Sequence, residues 1–364
     1  VTDLLADRPL PEVAWFGALC DDDHEQLGVA DPALRSSWDH CRDITLAADR
    51  NGFDAILLPS GYQLGIDTVA FASAIAPMLE RISPLVAVRM GEVWAPQLAR
   101  QLATLDQILG GRLLVNIISS DLPGETLASE PRYQRTLETM QVLRQLLRGE
   151  AVAHHGEHLD LVVDPPRICA ERTEAPPFYF GGLSPAAREV AAQAADVYLM
   201  WPDTLAGTKA VIDDLRLRAG AHGRELRFGF RVHVIVRETE AEARAAAAHL
   251  VAAVDEATGT AIRNRSLDTT SAGVARQGEL RSAADDDGFI ERHLWTGIGR
   301  ARSGAGAAIV GDPDQVRETL GAYRALGIDA FILSGYPHER ECDRFARLVL
   351  DGYPHAPLGG AGVG

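Results

Sequence analysis

The chain is nearly devoid of lysine, poor in cysteine and free of long apolar runs, and each shortage removes a class of protein. Its 35 basic residues include one lysine, Lys209. The four cysteines, Cys20, Cys41, Cys169 and Cys342, stand apart without CxxC spacing, which argues against a metal cage or a disulfide framework. No apolar stretch approaches the roughly 20 residues that a membrane-spanning helix needs. Residues 1–11 lack the basic start and apolar stretch of a signal peptide, so the expected location is the cytoplasm. Acidic residues outnumber basic ones 51 to 35, a formal charge of -16. Neither nucleic acid nor an anionic membrane suits such a surface. A pocket with two or three arginines can still take a small anion, because guanidinium grips oxyanions bidentately. A GC-rich coding sequence produces the same arginine bias and is the simpler cause of it.

What remains is an ordinary globular composition, 46% hydrophobic and 24% charged over 364 residues. Short apolar runs alternate with amphipathic segments. Strands are expected at 13–19, 54–59, 82–89, 112–118, 178–182, 197–201, 227–236 and 328–333. Helices are expected after them, at 38–51, 67–79, 96–109, 131–147, 185–194, 204–222, 240–254 and from 339, with one more at 313–326. The run AILLP, 55–59, is apolar on both faces, as strands of parallel sheets are. Eight strand–helix units favour a closed (β/α)8 TIM barrel over an open sheet. The expected organisation is a single domain, 1–364, with the barrel over about 13–350. The stretch 255–308 has no clean periodicity, and a structureless run of that length reads as an insertion, a mobile lid over about 255–299.

Active sites of such barrels lie at the C-terminal ends of the strands, which ranks the polar residues. Asn116 and Ser119 end the fourth strand, where turn chemistry would also place them. Gly181, Gly182 and Ser184 precede a helix opened by Pro185, a cradle for a phosphate on free N–H groups, although N-capping by Ser184 explains the serine as well. Arg231 and His233 share one strand face, opposite Val232 and Val234. A cation and an imidazole turned inward call for an anionic ligand or a structural ion pair. Tyr336 and His338 follow the last strand in the segment Ser334-Gly335-Tyr336-Pro337-His338. Arg300 and Arg302 lie in a glycine-rich stretch that can present cations. Trp201 ends its strand as core or as a platform for a flat ring. His154, His155 and His158 lack accompanying carboxylates, so no metal site is expected. No hydrolase triad, HExxH or P-loop is present.

Taken together, RQLATLDQILGGR, FYFGG, VYLMWP, RFGFRVHVIVRET, GAGAAIVGD and LGIDAFILSGYPH resemble the bacterial luciferase-like flavin monooxygenases, and among these the FMNH2-dependent alkanesulfonate monooxygenases, over about 13–350. The resemblance implies an enzyme that takes reduced FMN from a separate NAD(P)H-dependent flavin reductase and uses O2 to cleave an alkanesulfonate to sulfite and an aldehyde. Alternatives within it are monooxygenation of a sulfone or a specialised metabolite, or a deazaflavin-dependent oxidoreductase on the same barrel. It also implies a homo-oligomer, a dimer or tetramer. Carried over by motif, Arg231, His233, Arg302 and Tyr336 would be catalytic. Trp201 would stand beside them, Asn116 and Ser119 by the isoalloxazine, and Tyr133, Gly181, Gly182 and Ser184 around the FMN phosphate. Two positions depart from the sulfonate enzymes. Tyr62, Gln63 and Leu64 occupy the place of a family cysteine, and Cys20 that of a histidine, while His24 matches a nearby family histidine.

Overall fold

The computed structural model describes residues 8–61, 65–122, 124–169, 174–255, 257, 259–260, 271–302 and 304–358. Tyr62, Gln63 and Leu64, and much of the first part of the expected lid, lie outside them. Eight parallel strands close into a barrel: β1 (Glu12–Phe16), β2 (Ala55–Leu58), β3 (Ser83–Arg89), β4 (Leu114–Ile118), β7 (Phe178–Phe180), β8 (Val197–Met200), β9 (Arg227–Val236) and β13 (Ala330–Ser334). Neighbours pair in that order, and β9 closes the ring by pairing with both β8 and β13. A helix follows each barrel strand, so the alternation in the sequence is the architecture. Between β4 and β7 the chain makes a two-stranded excursion, β5 (Val152–His155) and β6 (Asp160–Val163).

Local signals set the element ends. The helix Ala95–Ile108 begins with proline in its first turn and stops before Gly110 and Gly111, both at positive φ. Ser184 caps the helix Pro185–Ala194, its hydroxyl accepting from the Ala187 N–H. Outward strand residues such as Val13, Ile56, Val86 and Phe230 pack under the helices, whereas Ala14, Phe16, Leu57, Leu85, Leu114, Tyr179 and Ile332 fill the barrel interior. The C-terminal segment closes the floor. The Leu358 N–H donates to Glu12, Arg227 donates to the Leu358 carbonyl, and the Ala356 N–H donates to the Pro11 carbonyl. Among the described residues no helix is long and apolar enough to cross a membrane.

The stretch 255–308 differs from the structureless run expected. Its described part holds a helix, Ala272–Ala283, and strands β10 (Phe289–Glu291) and β11 (Leu294–Trp295), which pair antiparallel. β11 then pairs with β12 (Ala308–Gly311), which runs parallel to the end of β9. The helix escapes a periodicity search because it buries only Gln277 and Leu280, too narrow a stripe to read. It is tied to the rim of the barrel. Arg276 pairs with Asp203 at 2.8 Å, and the Gln277 amide donates to the Pro202 carbonyl while accepting from the Gly306 N–H.

Candidate active site

The two-residue period of β9 turns Arg231 and His233 into the barrel and sends Val232 and Val234 to the outer core. Both inward side chains are buried, at 5% and 1% exposure. Arg231 donates to its neighbour's carbonyl at Val232 and to the Ser334 hydroxyl at 2.9 Å, and its guanidinium lies 4.2 Å from the centre of the Phe16 ring. Ser334 in turn meets Nδ1 of His233 at 2.7 Å. Arg231 fills one lone pair of that oxygen, and with the serine proton directed to Nδ1 the proton of neutral His233 is on Nε2. Burial, then the charges of Arg231 and Arg302, hold the His233 pKa well below the usual histidine range. The Ala305 backbone pulls the other way but too weakly to offset them, and among the described residues His233 Nε2 has no hydrogen-bond partner of normal geometry.

Arg302 reaches in from the far end of the insertion and donates to the Tyr336 hydroxyl. Tyr336 stacks on His233, and its phenol is pushed up to about 12 by burial, against the pull of Arg302. Burial and the neighbouring Arg302 bring Arg231 down to about 9, still protonated at neutral pH. Burial would lower Arg302 as well, but Tyr336, Asp21 and Cys20 keep it firmly charged. The hydrogen bonds of the two guanidiniums go to a carbonyl, a serine and a phenol; among the described residues neither pairs with a carboxylate. Two adjacent cations, with no carboxylate in hydrogen-bond contact among the described residues and only Asp21 nearby to offset Arg302, form a site for an anion, because leaving buried positive charge uncompensated is costly.

Three further residues belong to this cluster. Cys20 lies beside both arginines, its thiol pushed up by burial against their pull. His338, 1% exposed, sits between the Phe16 and Tyr336 rings, with centroids at 5.8 and 4.9 Å. Its Nδ1 donates to Asp23 at 2.7 Å. Asp23 is fully buried and also accepts from the backbone N–H groups of His24 and His338 and from Nε2 of His40. Burial alone would raise Asp23, but His338 and these donors hold it well below the usual carboxylate range. Nothing in the sequence separates Asp23 from Asp21 and Asp22 beside it. His338 was visible in its motif, and its position at a helix start gave no sign of a buried pairing.

The remaining expected site residues lie at the same mouth. Asn116 is half-buried on the inward face of β4, and Ser119 accepts from Thr136 of the helix Ser129–Leu147 at 2.8 Å. That helix carries Tyr133, whose ring meets the edge of Phe180. Gly181 has a packing reason to be glycine, since a Cβ there would lie 2.1 Å from the Leu199 carbonyl oxygen. Gly182, at φ +149, is where a cradle opens. A Cβ on it would come within 2.7 Å of Ala187 and 3.2 Å of the Tyr133 hydroxyl. Tyr133, Gly182, Ser184 and the first turn of Pro185–Ala194 therefore fit a phosphate, with the Arg132 guanidinium 5.5 Å from the Tyr133 ring. Trp201, at the β8 exit, lies under the inserted helix, where a Cβ on Gly273 would touch its indole at 2.9 Å.

The site thus offers a phosphate cradle at the β7 end, an indole at the β8 end, and an anion site with two unpartnered imidazole nitrogens between β9 and β13. The luciferase-like monooxygenase model matches residues 16–330. A sulfoquinovose monooxygenase of Novosphingobium aromaticivorans is 61% identical over 354 residues, covering 95% of this chain and 98% of that protein. A second, from Agrobacterium fabrum, is 49% identical over 350 residues, covering 95% and 90%. Among solved structures, the oxygenating constituent of 3,6-diketocamphane monooxygenase from Pseudomonas putida, in complex with FMN, has a TM-score of 0.67 at 15% identity, covering 95% of this chain and 99% of that one, a likeness of fold. The chain belongs to the luciferase-like monooxygenases, as a flavin-dependent oxidoreductase of that family.

Proposed function

We propose that the chain cleaves the C–S bond of a sugar sulfonate oxidatively, with sulfoquinovose as the substrate, using reduced FMN and O2. The observation that carries this is the pair Arg231 and Arg302, adjacent and, among the described residues, without a hydrogen-bonded carboxylate partner, which suits a sulfonate and the sulfite that leaves it. The relatives named sulfoquinovose monooxygenase support the choice of sugar over simple alkane chain. Tyr133, Gly182 and Ser184 hold the FMN phosphate, and Asn116, Ser119 and Trp201 line the ring. Reduced FMN supplies two electrons and activates O2, of which one atom ends in the aldehyde and the other in water; sulfur departs as hydrogen sulfite. The protein's part is to hold the sulfonate with Arg231, Arg302 and the Nε2–H of His233, to keep Tyr336 protonated as a hydrogen-bond donor, and to keep water out. A separate NAD(P)H-dependent flavin reductase provides the reduced flavin, and the enzyme works as a homo-oligomer.

The test is sulfite release from sulfoquinovose and a panel of alkanesulfonates with FMN, NADH and a generic flavin reductase. Sulfite from sulfoquinovose above the panel, dependent on reductase and O2, is the expected result. O2 consumption with no sulfite from any sulfonate would move the activity to another monooxygenation. Activity with a reduced deazaflavin and no O2 uptake would replace it altogether.

A further inference from the structure

Four donors surround Asp23: the N–H groups of His24 and His338, Nδ1 of His338 and Nε2 of His40, at 2.9, 2.7, 2.7 and 3.0 Å. A carboxylate so saturated fixes the proton of His338 on Nδ1 and leaves a lone pair on Nε2. That atom is buried and has no hydrogen-bond partner among the described residues. Two neighbouring groups of the cluster are already engaged. The Nδ1 of His233 is occupied by Ser334, and the Tyr336 oxygen takes the N–H of Arg302. Within the cluster, His338 Nε2 is therefore a fixed proton acceptor backed by an anion, the arrangement by which a carboxylate orients a catalytic imidazole and stabilises its protonated form.

We propose that His338 is the general base that completes C–S cleavage by deprotonating an α-hydroxysulfonate, with Asp23 as its positioning residue. This rests on the sulfonate reading above. The hydroxyl proton moves to Nε2, the O–H electron pair becomes the second C–O bond, and the C–S bond breaks with its pair on sulfur. Aldehyde, sulfite and a protonated imidazole result, and the step itself exchanges no electrons with another group. Sulfite leaves into the charge of Arg231 and Arg302. The protein should consequently have an activity of its own that needs neither reduced flavin nor O2, the splitting of aldehyde–bisulfite adducts.

The full chain, with and without oxidised FMN, is incubated with the bisulfite adducts of formaldehyde and glycolaldehyde, and free sulfite is followed by its reaction with an aromatic disulfide dye. Release should exceed the buffer rate, and His338→Gln should lose about 10²-fold of the acceleration. Asp23→Asn, whose amide favours the other imidazole tautomer, should lower kcat by a comparable factor while KM stays within about twofold. Added imidazole should restore part of the activity of His338→Gly. The proposal is overturned if the wild type leaves the adducts untouched in both flavin states, or if a folded His338→Gln or Asp23→Asn protein splits them at the wild-type rate. Reductase-dependent sulfite formation that persists undiminished in either variant would overturn it too while leaving the sulfonate reading in place. Adduct splitting by a wild type that makes no sulfite from any sulfonate would instead sink that reading.

Discussion

The imidazole of His233 lies against the ring of Tyr336, centroids 5.4 Å apart and planes inclined by 20°. The stack joins a residue of β9 to one just beyond β13, adjacent strands at the C-terminal mouth, and it places a neutral imidazole N–H beside the phenol that Arg302 contacts. The site therefore gathers its positive charge on two guanidiniums, with the imidazole of this stack as a neutral donor.

That division predicts the titration of His233. Its folded pKa is held well below the usual histidine value by burial and the two arginines. In the anion-free protein the His233 ring should stay neutral at pH values where an ordinary histidine, with a pKa of about 6.5, has taken up its second proton. Nitrogen chemical shifts of the ring, read against a His233→Gln control, test this; a midpoint near 6.5 would contradict it. Ser334→Ala removes the partner of both His233 and Arg231 and should cost about 1–3 kcal/mol of stability, measured by denaturant unfolding.

Arg302 should govern coupling more than flavin binding. It follows the short 3-10 turn Gly297–Arg300 beyond the inserted strands and reaches the Tyr336 phenol. Replacing it with alanine should lower sulfite yield by about 10²-fold and raise hydrogen peroxide leakage, with FMN affinity altered far less. Arg302→Lys should rescue only in part, since an ammonium lacks the guanidinium fork. Stoichiometry of sulfite and peroxide against NADH consumed measures both. Normal coupling in Arg302→Ala would make it a loop arginine with no part in the site.

The sequence carried much of this because certain residues conflict with their surroundings. Arg231 and His233 interrupt an apolar strand at alternate positions, so their shared inward face was legible without coordinates. The eight strands were legible because each is a short, mostly apolar run set between amphipathic helical segments. Asp23 was not, as three successive aspartates offer no local reason to choose one, and its role depends on His338, 315 residues away. The inserted helix Ala272–Ala283 was hidden because it lies on the rim and buries little. Gly181 was read as part of a phosphate cradle, whereas the approach of the Leu199 carbonyl already requires glycine there.

Two glycines separate binding from folding. Gly182→Ala would crowd Ala187 and the Tyr133 hydroxyl at the cradle and force a strained backbone, so FMN affinity should fall several-fold while the protein still folds. Gly273→Val would push on the Trp201 indole from the inserted helix. Its effect should appear as a shifted tryptophan emission and a raised substrate KM, with FMN affinity changed far less than in Gly182→Ala. Fluorescence titration with FMN on both variants checks the contrast, and equal FMN affinities in the two would refute it.

The floor of the barrel supplies a pH dependence independent of catalysis. Glu12, 1% exposed, accepts from the Tyr179 hydroxyl at 2.8 Å and from the Leu358 N–H at 3.1 Å. Burial nevertheless raises its pKa to about 7, with Asp54 adding to the rise and the two hydrogen bonds opposing it. In the unfolded chain a glutamate titrates near 4.5. Between those values the folded protein keeps a proton that the unfolded chain has released, so Glu12 makes stability fall as pH rises through that window. The full penalty is reached above about pH 7 and amounts to roughly 3 kcal/mol. Glu12→Gln cannot titrate, and its amide keeps an acceptor for Tyr179 while losing the one for Leu358. Its stability relative to wild type should therefore increase by roughly 3 kcal/mol between pH 4.5 and pH 8, whatever the offset at either end. Urea unfolding of both proteins at these pH values measures the difference, and a difference that stays flat would show that Glu12 is already ionised when the tail docks.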